Sequence, residues 1–168
     1  MKEIIEFSDK TVTIDRNEFL KLSGSIDTNI YFVESGSLRI FISDDVGEQI
    51  IRFAYKDNIF VALDSFLTGK SSGFSIQAIK KTVVKVISKQ QFIRFLEIEK
   101  NRNLWTKILE NLVLQQMERE IDLLVNSPKE RYERVLQRSP QLFQEIPDRY
   151  IANYLRMSAE TLSRLKKS

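Results

Sequence analysis

The sequence pattern of the chain changes near residue 88, and this change limits the folds that the chain can adopt. Up to about residue 87, short segments rich in β-branched and aromatic residues alternate with turn residues such as Ser35-Gly36. Regularly spaced short strands of this kind predict a sandwich, a roll or a barrel. The strand segments are TVTIDR, NIYFVES, SLRIFIS, QIIRFAY, NIFVAL, FSIQAI and TVVKVI. The residues assigned mainly to the core of this region are Phe32, Leu38, Ile40, Ile42, Ile51 and Phe53.

A long helix is predicted after the strands, because the run from Asn103 to about Asn126 contains no glycine or proline. Its apolar residues form two stripes, which indicates two packing partners. We expect these to be the chain's own β-region and the same helix of a second copy; a long helix on a single large core is the alternative. The first stripe is Trp105, Ile108, Leu109 and Leu112, and the second, the predicted dimer contact, is Leu114, Met117, Ile121 and Leu124. Ser127-Pro128 ends the run and starts a new helix.

Two missing residue types exclude most metal and nucleophilic chemistry. The chain contains neither cysteine nor histidine, which excludes disulfides, thiolate or His-ligated zinc, cysteine-bound iron–sulfur clusters, His-bound haem and Ser-His or Cys-His nucleophiles. The acidic cluster Asp44-Asp45-Val46-Gly47 is more typical of a hairpin turn than of a metal site. No metal or cofactor is expected, and the working interpretation is a non-enzyme. An enzyme on a cupin-like scaffold ranks last, because its metal chemistry relies on His ligands.

Charge is distributed unevenly along the chain. Residues 128–168 carry nine Lys/Arg against five Asp/Glu, and residues 1–127 carry seventeen against eighteen. A near-neutral body with a basic end suits a partner that is a polyanion. The apolar runs are too short to span a membrane, and the acidic start of the chain does not resemble a signal peptide. We therefore expect a cytoplasmic protein with no membrane partner.

The stretch from Asp148 onward predicts two short helices around a tight turn. Ser158 is a good N-cap for the second helix, and Glu160 suits its first turn. Arg156 occupies the turn position where glycine is usual, which favours the alternative of a simple αα-hairpin. The apolar or small residues fall where two crossed helices pack: Ile151, Ala152, Leu155, Met157, Leu162 and Leu165. The outward face of the second helix would carry Ala159, Glu160, Ser163, Arg164 and Lys167. An arginine can pair with guanine and a glutamate can accept from cytosine, so this face suits a DNA major groove. The residues predicted to contact DNA are Ser158, Ala159, Glu160, Thr161, Ser163, Arg164 and Lys167.

The segment IPDRYIANYLRMSAETLSRLKK resembles the DNA-binding end of the Crp/Fnr family of bacterial transcription regulators, in its form I-A-x-x-L-G-x-S-x-E-T-L-S-R. YFVESGSLRIF resembles part of that family's β-roll, and SPKERYERVLQRSPQLFQEIP is similar to the connecting helix of its short, wingless branch. The resemblance covers about residues 20–167 and implies an α+β fold. Residues 1–98 would form an antiparallel β-roll sensor domain of the cyclic-nucleotide-binding type (a double-stranded β-helix). Residues 99–127 would form the dimerisation helix, and residues 128–168 a helical DNA-binding domain with a helix-turn-helix.

The same resemblance shows a changed effector region. Nucleotide-sensing members bind the ribose with a Glu and the phosphate with an Arg; without that Arg, a buried anion would be left unpaired. Cyclic AMP is therefore not the expected effector, and the region is expected to bind an unknown, more apolar small molecule or nothing. Val61 and Ala62 align with the Gly-Glu positions, Ser72 and Gly73 with the Arg-Ser positions, and Gln116 and Met117 with the polar pair of the long helix.

The DNA-binding end also departs from the family. Ala159, Glu160 and Arg164 align with the usual Arg, Glu and Arg of the recognition helix, so we expect a different preferred DNA sequence. The resemblance also implies no β-hairpin wing, and a shorter segment before the roll than in many members. The leading interpretation is a homodimeric, sequence-specific DNA-binding regulator whose partners are double-stranded DNA and a second copy of itself. The alternative is a ligand- or partner-binding module that no longer reads DNA.

Overall fold

A computed structural model describes residues 2–167 of the chain. These residues form two compact units, and the boundary between the units lies between Trp105 and Thr106. The first unit is built mainly from β-strands and the second from helices. The boundary falls inside the longest helix, so this helix contributes residues to both units.

The first unit contains two antiparallel sheets. Within residues 2–105, one sheet has the strand order β1-β8-β3-β6 and the other has the order β2-β7-β4-β5. The predicted α+β class with an antiparallel roll is confirmed. The elements are α1 (Lys2–Ile5), β1 (Lys10–Ile14), β2 (Phe19–Lys21), β3 (Ile30–Ser35), β4 (Ser37–Asp44), β5 (Gly47–Tyr55), β6 (Ile59–Val61), α2 (Leu63–Thr68), β7 (Ser75–Ala78), β8 (Thr82–Ile87), α3 (Lys89–Glu97) and the first turns of α4 (Glu99–Leu124).

Two apolar clusters lie on opposite faces of the β1-β8-β3-β6 sheet, because successive strand residues point to opposite sides. Tyr31 and Val33 of β3 belong to a cluster shared with β4, β5 and β7, while Ile30 of β3 belongs to the other. The second cluster contains an aromatic group from the helices, in which the Phe92 ring meets the Trp105 ring edge-on at 4.6 Å between centroids. Each such side chain that is fully buried contributes roughly 1.5–3 kcal/mol. The first turns of α4 are thereby fixed to the β-unit.

The predicted core position of Ile42 is wrong. Its side chain is 37% exposed, whereas the neighbouring Phe41 is 2% exposed. Strand β7 pairs with β4 only from Leu38 to Phe41, so Ile42 lies in the part of β4 that pairs with β5 alone. A β-bulge also shifts the register, since Ile40 pairs with Arg52 but Phe41 pairs with Ile50. A shift of one residue moves side chains to the other face of a strand, which a regular alternation does not anticipate.

Gly36 connects β3 to β4 in a conformation that only glycine adopts easily. Its φ is +87°, and a Cβ atom there would lie 2.5 Å from Thr82 Oγ1 and 2.6 Å from Thr82 Cα. Thr82 is fully buried, and its hydroxyl accepts a hydrogen bond from the Ser37 amide at 3.1 Å. The two strands therefore approach β8 too closely at this point for any side chain.

The second unit consists of the rest of α4 followed by short helices. They are α5 (Pro128–Arg138), α6 (Leu142–Glu145), α7 (Asp148–Tyr154) and α8 (Ala159–Leu165). The predicted helix start at Ser127-Pro128 is confirmed, because the Ser127 hydroxyl accepts from the Glu130 amide at 3.3 Å and Pro128 is the first helical residue. The buried apolar residues of the second unit are Val135, Leu142, Ile146, Ile151, Ala152, Leu155 and Leu162. No helix within residues 2–167 is long and apolar enough to cross a membrane.

A buried carboxylate fixes α5 to α4. Asp122 has no exposed surface, and its Oδ1 accepts hydrogen bonds from Arg134 Nε at 3.2 Å and Arg138 Nη1 at 3.3 Å. Asp122 Oδ2 also accepts from Arg138 Nη2, and Glu118 pairs with both arginines at 3.0 and 3.2 Å. The hydrogen bond to Asp122 raises the pKa of the Arg138 guanidinium above its ordinary value. The charges of two arginines are thus neutralised at the helix contact.

Gly36→Ala should destabilise the first unit far more than Gly24→Ala. Both glycines have positive φ, but nothing lies within 4 Å of a Cβ atom at Gly24. Both variants carry the backbone strain of about 1–2 kcal/mol, and only Gly36→Ala adds overlap with backbone atoms, which we expect to cost about 2 kcal/mol more. Urea unfolding of the two variants measures the difference, and equal losses of unfolding free energy would contradict the close approach at Gly36.

Candidate nucleic-acid interface and effector region

Helices α7 and α8 are joined by the tight turn that the sequence predicts. The amide of Arg156 donates to Asn153 O and the amide of Met157 donates to Ala152 O, both at 3.0 Å, which is the Schellman pattern of a helix end. Arg156 has φ 52°, a left-handed conformation that costs a residue with a Cβ roughly 1–2 kcal/mol. Ala152 is 2% exposed, in keeping with a position where bulk is excluded. The turn forms with arginine at the position where glycine is usual.

The start of α8 is fixed by its own cap. Ser158 Oγ accepts from the Thr161 amide at 3.1 Å and lies 2.9 Å from Thr161 Oγ1. Ser158 and Thr161 are two of the residues predicted to contact DNA, and the hydroxyls of both take part in holding the helix start. Thr161 is also half-buried. A capped N-terminus of this kind contributes about 1 kcal/mol to a helix.

The outer face of α8 carries the remaining predicted contacts. Glu160 and Arg164 are one turn apart and form an ion pair of 2.5 Å between Oε1 and Nη2, with both side chains more than 70% exposed. Lys167 lies just beyond the last turn, whereas Lys166 is engaged with Asp148 at 2.8 Å. The exposed residues of this face are Ala159, Glu160, Ser163, Arg164 and Lys167. The face therefore offers a guanidinium, a carboxylate and an ammonium outside the packed part of the unit.

Two buried arginines hold the turn before α8, and the sequence patterns did not single them out. Arg131 of α5 donates from Nε to Leu155 O at 2.8 Å and from Nη2 to Arg156 O at 3.2 Å. Its Nη1 also donates to Val125 O, at the end of α4. A signal was present: Arg131 lies four residues before the buried Val135, so a charged residue occupies the apolar face of α5.

Arg119 of α4 makes the second such contact. Its Nη2 donates to Tyr154 O at 2.6 Å, and its guanidinium carbon lies 3.6 Å from the centre of the Tyr154 ring. The residue is 8% exposed, and burial lowers the pKa of the guanidinium below its ordinary value. The carbonyls of Tyr154, Leu155 and Arg156, which a helix end leaves without intrahelical donors, are thus all bound by arginines.

The residues of the predicted effector region form packing contacts and hydrogen bonds within the chain. Ala62 is buried at the start of α2, and Val61 packs against the aromatic cluster of Phe66 and Trp105. Ser72 is 1% exposed, with its amide donating to Ser25 O at 3.1 Å. Its carbonyl accepts from the Gly24 amide at 2.8 Å and its hydroxyl from the Phe74 amide at 3.1 Å. The adjacent Gly73 is exposed.

Lys21 is a further residue of this region that the sequence patterns did not indicate. Its side chain is buried, and its ammonium donates to Phe74 O at 2.8 Å, Leu22 O at 3.0 Å and Ser72 O at 3.4 Å. Burial lowers the pKa of the ammonium, and the charges of Asp27 and Asp64 partly oppose this shift. The loop that contains Ser72 is therefore bound to β2 by a buried cation as well as by backbone hydrogen bonds.

The predicted dimer residues lie on α4 within the second unit. Leu114, Met117, Ile121 and Leu124 are 58%, 53%, 42% and 79% exposed, and the sequence patterns omitted Val113, which is 60% exposed on the same side. We call these five residues the apolar seam. Gln116, aligned with the effector region in the sequence, is exposed on α4. Large apolar side chains exposed in a continuous row indicate an interaction surface.

Comparisons with known proteins agree with this architecture. Residues 11–99 match the family model of the cyclic nucleotide-binding domain, and no curated protein sequence matches the chain. A CooA mutant from Carboxydothermus hydrogenoformans is 16% identical over 98% of this chain and 77% of that chain, with a TM-score of 0.74. FixK2 from Bradyrhizobium japonicum is 19% identical over 94% of this chain and 82% of that chain, with a TM-score of 0.73.

A transcriptional regulator of the CRP family from Thermus thermophilus is 15% identical over 93% of this chain and 82% of that chain, with a TM-score of 0.68. At these identities, the similarity to solved structures concerns the fold. The resemblance to Crp/Fnr regulators that the sequence indicated is confirmed. Because the family model covers over half of the chain, the protein belongs to the cyclic nucleotide-binding domain family and has the fold of Crp/Fnr regulators.

Proposed function

We propose that the protein is a homodimeric transcription regulator that reads DNA with α8. The observation that carries this proposal is the contrast between the two sides of α8. Leu162 on the inner side has no exposed surface, while Glu160 and Arg164 on the outer side are largely exposed and form an ion pair with each other. A packed helix that presents a charged face is the arrangement with which helix-turn-helix proteins enter a major groove.

The chemistry of the outer face fits base edges. An arginine can donate two hydrogen bonds to guanine O6 and N7, and a glutamate can accept from cytosine N4. Residues 160 and 164 are one turn apart, so both side chains can reach the same groove. Ala159 leaves room for a thymine methyl group, and Lys167 suits a phosphate. Arg164 is therefore the residue that we assign to base reading, with Glu160 as its neighbour.

A partner-binding module that no longer reads DNA is the second candidate. The Glu160–Arg164 ion pair favours it, because the pair neutralises the guanidinium that would otherwise attract DNA. This pair is exposed, however, and exposed ion pairs contribute only about 0–1 kcal/mol, so a bidentate contact with guanine can displace it. The basic composition of residues 128–168 also favours DNA.

We assign the second copy to the apolar seam of α4. A two-fold axis brings the same surface of two molecules together, so an apolar row needs no other partner to be covered. Each seam residue that becomes buried contributes roughly 1.5–3 kcal/mol. Dimerisation would also place two α8 helices on one duplex, and the second contact is then made at a high effective concentration.

The proposed regulator does not sense cyclic AMP. In the sequence, Ala62 and Ser72 align with the ribose-binding Glu and the phosphate-binding Arg of nucleotide-sensing members. Ser72 is buried, and its amide, carbonyl and hydroxyl are all hydrogen-bonded. A cyclic phosphate would have to displace these bonds without a guanidinium to compensate the charge.

Arg164→Ala should lower affinity for the preferred site by about 1–3 kcal/mol and relax selectivity at one position per half-site. Lys167→Ala should weaken binding to all sequences alike and reduce the slope of log affinity against log salt by about one. Selection from random duplexes followed by anisotropy titration at two salt concentrations measures both effects. Lys56→Ala, an exposed charge change in the first unit, is the control. Identical sequences selected by wild type and Arg164→Ala would favour the partner-binding module.

Met117→Lys should convert the protein from dimer to monomer, because it places a charge in the middle of the apolar seam. Gln115→Lys is the matched control: it adds the same charge at an exposed position about 160° from Met117 around α4. Sedimentation of the three proteins at equal concentration checks the result. Wild type that sediments as a monomer at tens of micromolar would rule out the seam as a dimer contact.

Cyclic AMP should give no binding isotherm in the low-micromolar range when titrated into the protein in a calorimeter. The physical reason is that Ser72 offers no guanidinium, and that its polar atoms and the nearby Lys21 ammonium are already bound to backbone groups. A clear micromolar isotherm that disappears on a bulky substitution of Ser72 or Ala62 would show that this region does hold the nucleotide.

A further inference from the structure

We propose that Arg119 is a positioning residue for DNA reading, through which α4 sets the place of the recognition helix α8 and hence the half-site spacing that the dimer accepts. This inference rests on the proposed function and adds to it a residue that touches neither DNA nor the second copy. The evidence is the two contacts that Arg119 makes with Tyr154 at the end of α7.

Arg119 lies on the side of α4 opposite to the apolar seam. It is two residues from Met117 and two from Ile121, which places it about 160° around the helix from each. Met117 and Ile121 are 53% and 42% exposed, while Arg119 is 8% exposed. A single helix therefore offers one side to a second copy and the other side to α7, with a few ångströms of backbone between them.

Arg119 holds Tyr154 by two groups at once. The hydrogen bond to the Tyr154 carbonyl fixes the end of α7 along the direction of the bond, and the guanidinium face stacked over the Tyr154 ring fixes its rotation. Tyr154 is the last residue of α7, and only the four residues 155–158 separate it from α8. A displacement at Tyr154 would therefore be transmitted to α8 with little attenuation.

Stability alone does not explain an arginine at this position. Arg119 Nη1 is buried, and no residue of the described chain accepts a hydrogen bond from it. A buried guanidinium with an unsatisfied donor is costly, and an apolar side chain of similar size often packs as well or better. An apolar residue would make only dispersion contacts, which do not depend strongly on orientation. A hydrogen bond and a stacked guanidinium plane, in contrast, fix both the distance and the rotation of Tyr154.

The rest of the turn would keep its structure without Arg119. Arg131 would still bind Leu155 O and Arg156 O, and the Asp122 contacts would still hold α5 on α4. We therefore expect loss of Arg119 to leave a folded dimer in which each α8 can shift relative to α4. Such a dimer should accept several half-site spacings in place of one.

The experiment compares wild type, Arg119→Met and the control Lys107→Met, an exposed α4 position. Two copies of the half-site selected by wild type are placed in duplexes at a series of spacings, and anisotropy gives the affinity for each. Wild type should show one preferred spacing. Arg119→Met should lose about ten- to thirtyfold affinity at that spacing, lose much less at the others, and bind a single half-site as wild type does.

Two further measurements separate a positioning role of Arg119 from a role in stability. Tyr154→Leu retains the carbonyl and removes the ring, so it should flatten the spacing profile to a smaller degree than Arg119→Met. Sedimentation and urea unfolding should show that Arg119→Met remains a folded dimer. If it is unfolded or monomeric, Arg119 is a stability residue and the inference is wrong.

The failure of this inference is distinguishable from the failure of the proposed function. If wild type selects a sequence with one preferred spacing and Arg119→Met gives the same profile, the positioning role of Arg119 is overturned and DNA reading stands. If wild type binds no duplex with sequence preference, both are overturned.

Discussion

Three carbonyl oxygens at the end of α7 determine how the second unit is built. A helix leaves its last carbonyls without intrahelical donors, and at this end of α7 the carbonyls concerned are those of Tyr154, Leu155 and Arg156. Arg119 and Arg131 donate to all three. Because one arginine comes from α4 and the other from α5, the turn that leads into α8 is fixed to both helices. These bonds hold the turn from which α8 starts, and the buried Leu162 packs α8 itself.

The placement of Arg131 depends in turn on the ionic contact between α4 and α5. Asp122 is fully buried, so loss of its arginine partners would leave an uncompensated charge at a cost of about 3–5 kcal/mol. Arg134 and Arg138 are the partners that prevent this. Buried charged contacts thus hold the helices of the second unit together in addition to its apolar packing. In the first unit, two apolar clusters pack on either side of a sheet, and the buried Lys21 ammonium adds hydrogen bonds to a loop.

What the sequence predicts well is local in the chain. The cap at Ser158, the helix start at Ser127-Pro128 and the left-handed turn residue Arg156 depend on neighbours within a few positions. The contacts that were missed join distant positions: Arg119 binds a carbonyl 35 residues away, and Lys21 binds one 51 residues away. The exposure of Ile42 has a different cause, since a bulge interrupts the alternation from which strand faces are predicted.

The contacts of Lys21 also bear on how a regulator of the proposed kind would be controlled. The ammonium of Lys21 and the polar atoms of Ser72 are satisfied by backbone groups of the chain, so an anionic ligand would have to break these bonds before forming its own. A ligand shifts a conformational equilibrium only by the difference between its affinities for the two states. Because the ligand would first have to break the bonds of Lys21 and Ser72, its affinity for the bound state is lower and this difference is smaller. Dimerisation has no such requirement, because the apolar seam is exposed in the single chain. For such a protein, occupancy of DNA would follow the concentration of the dimer by mass action.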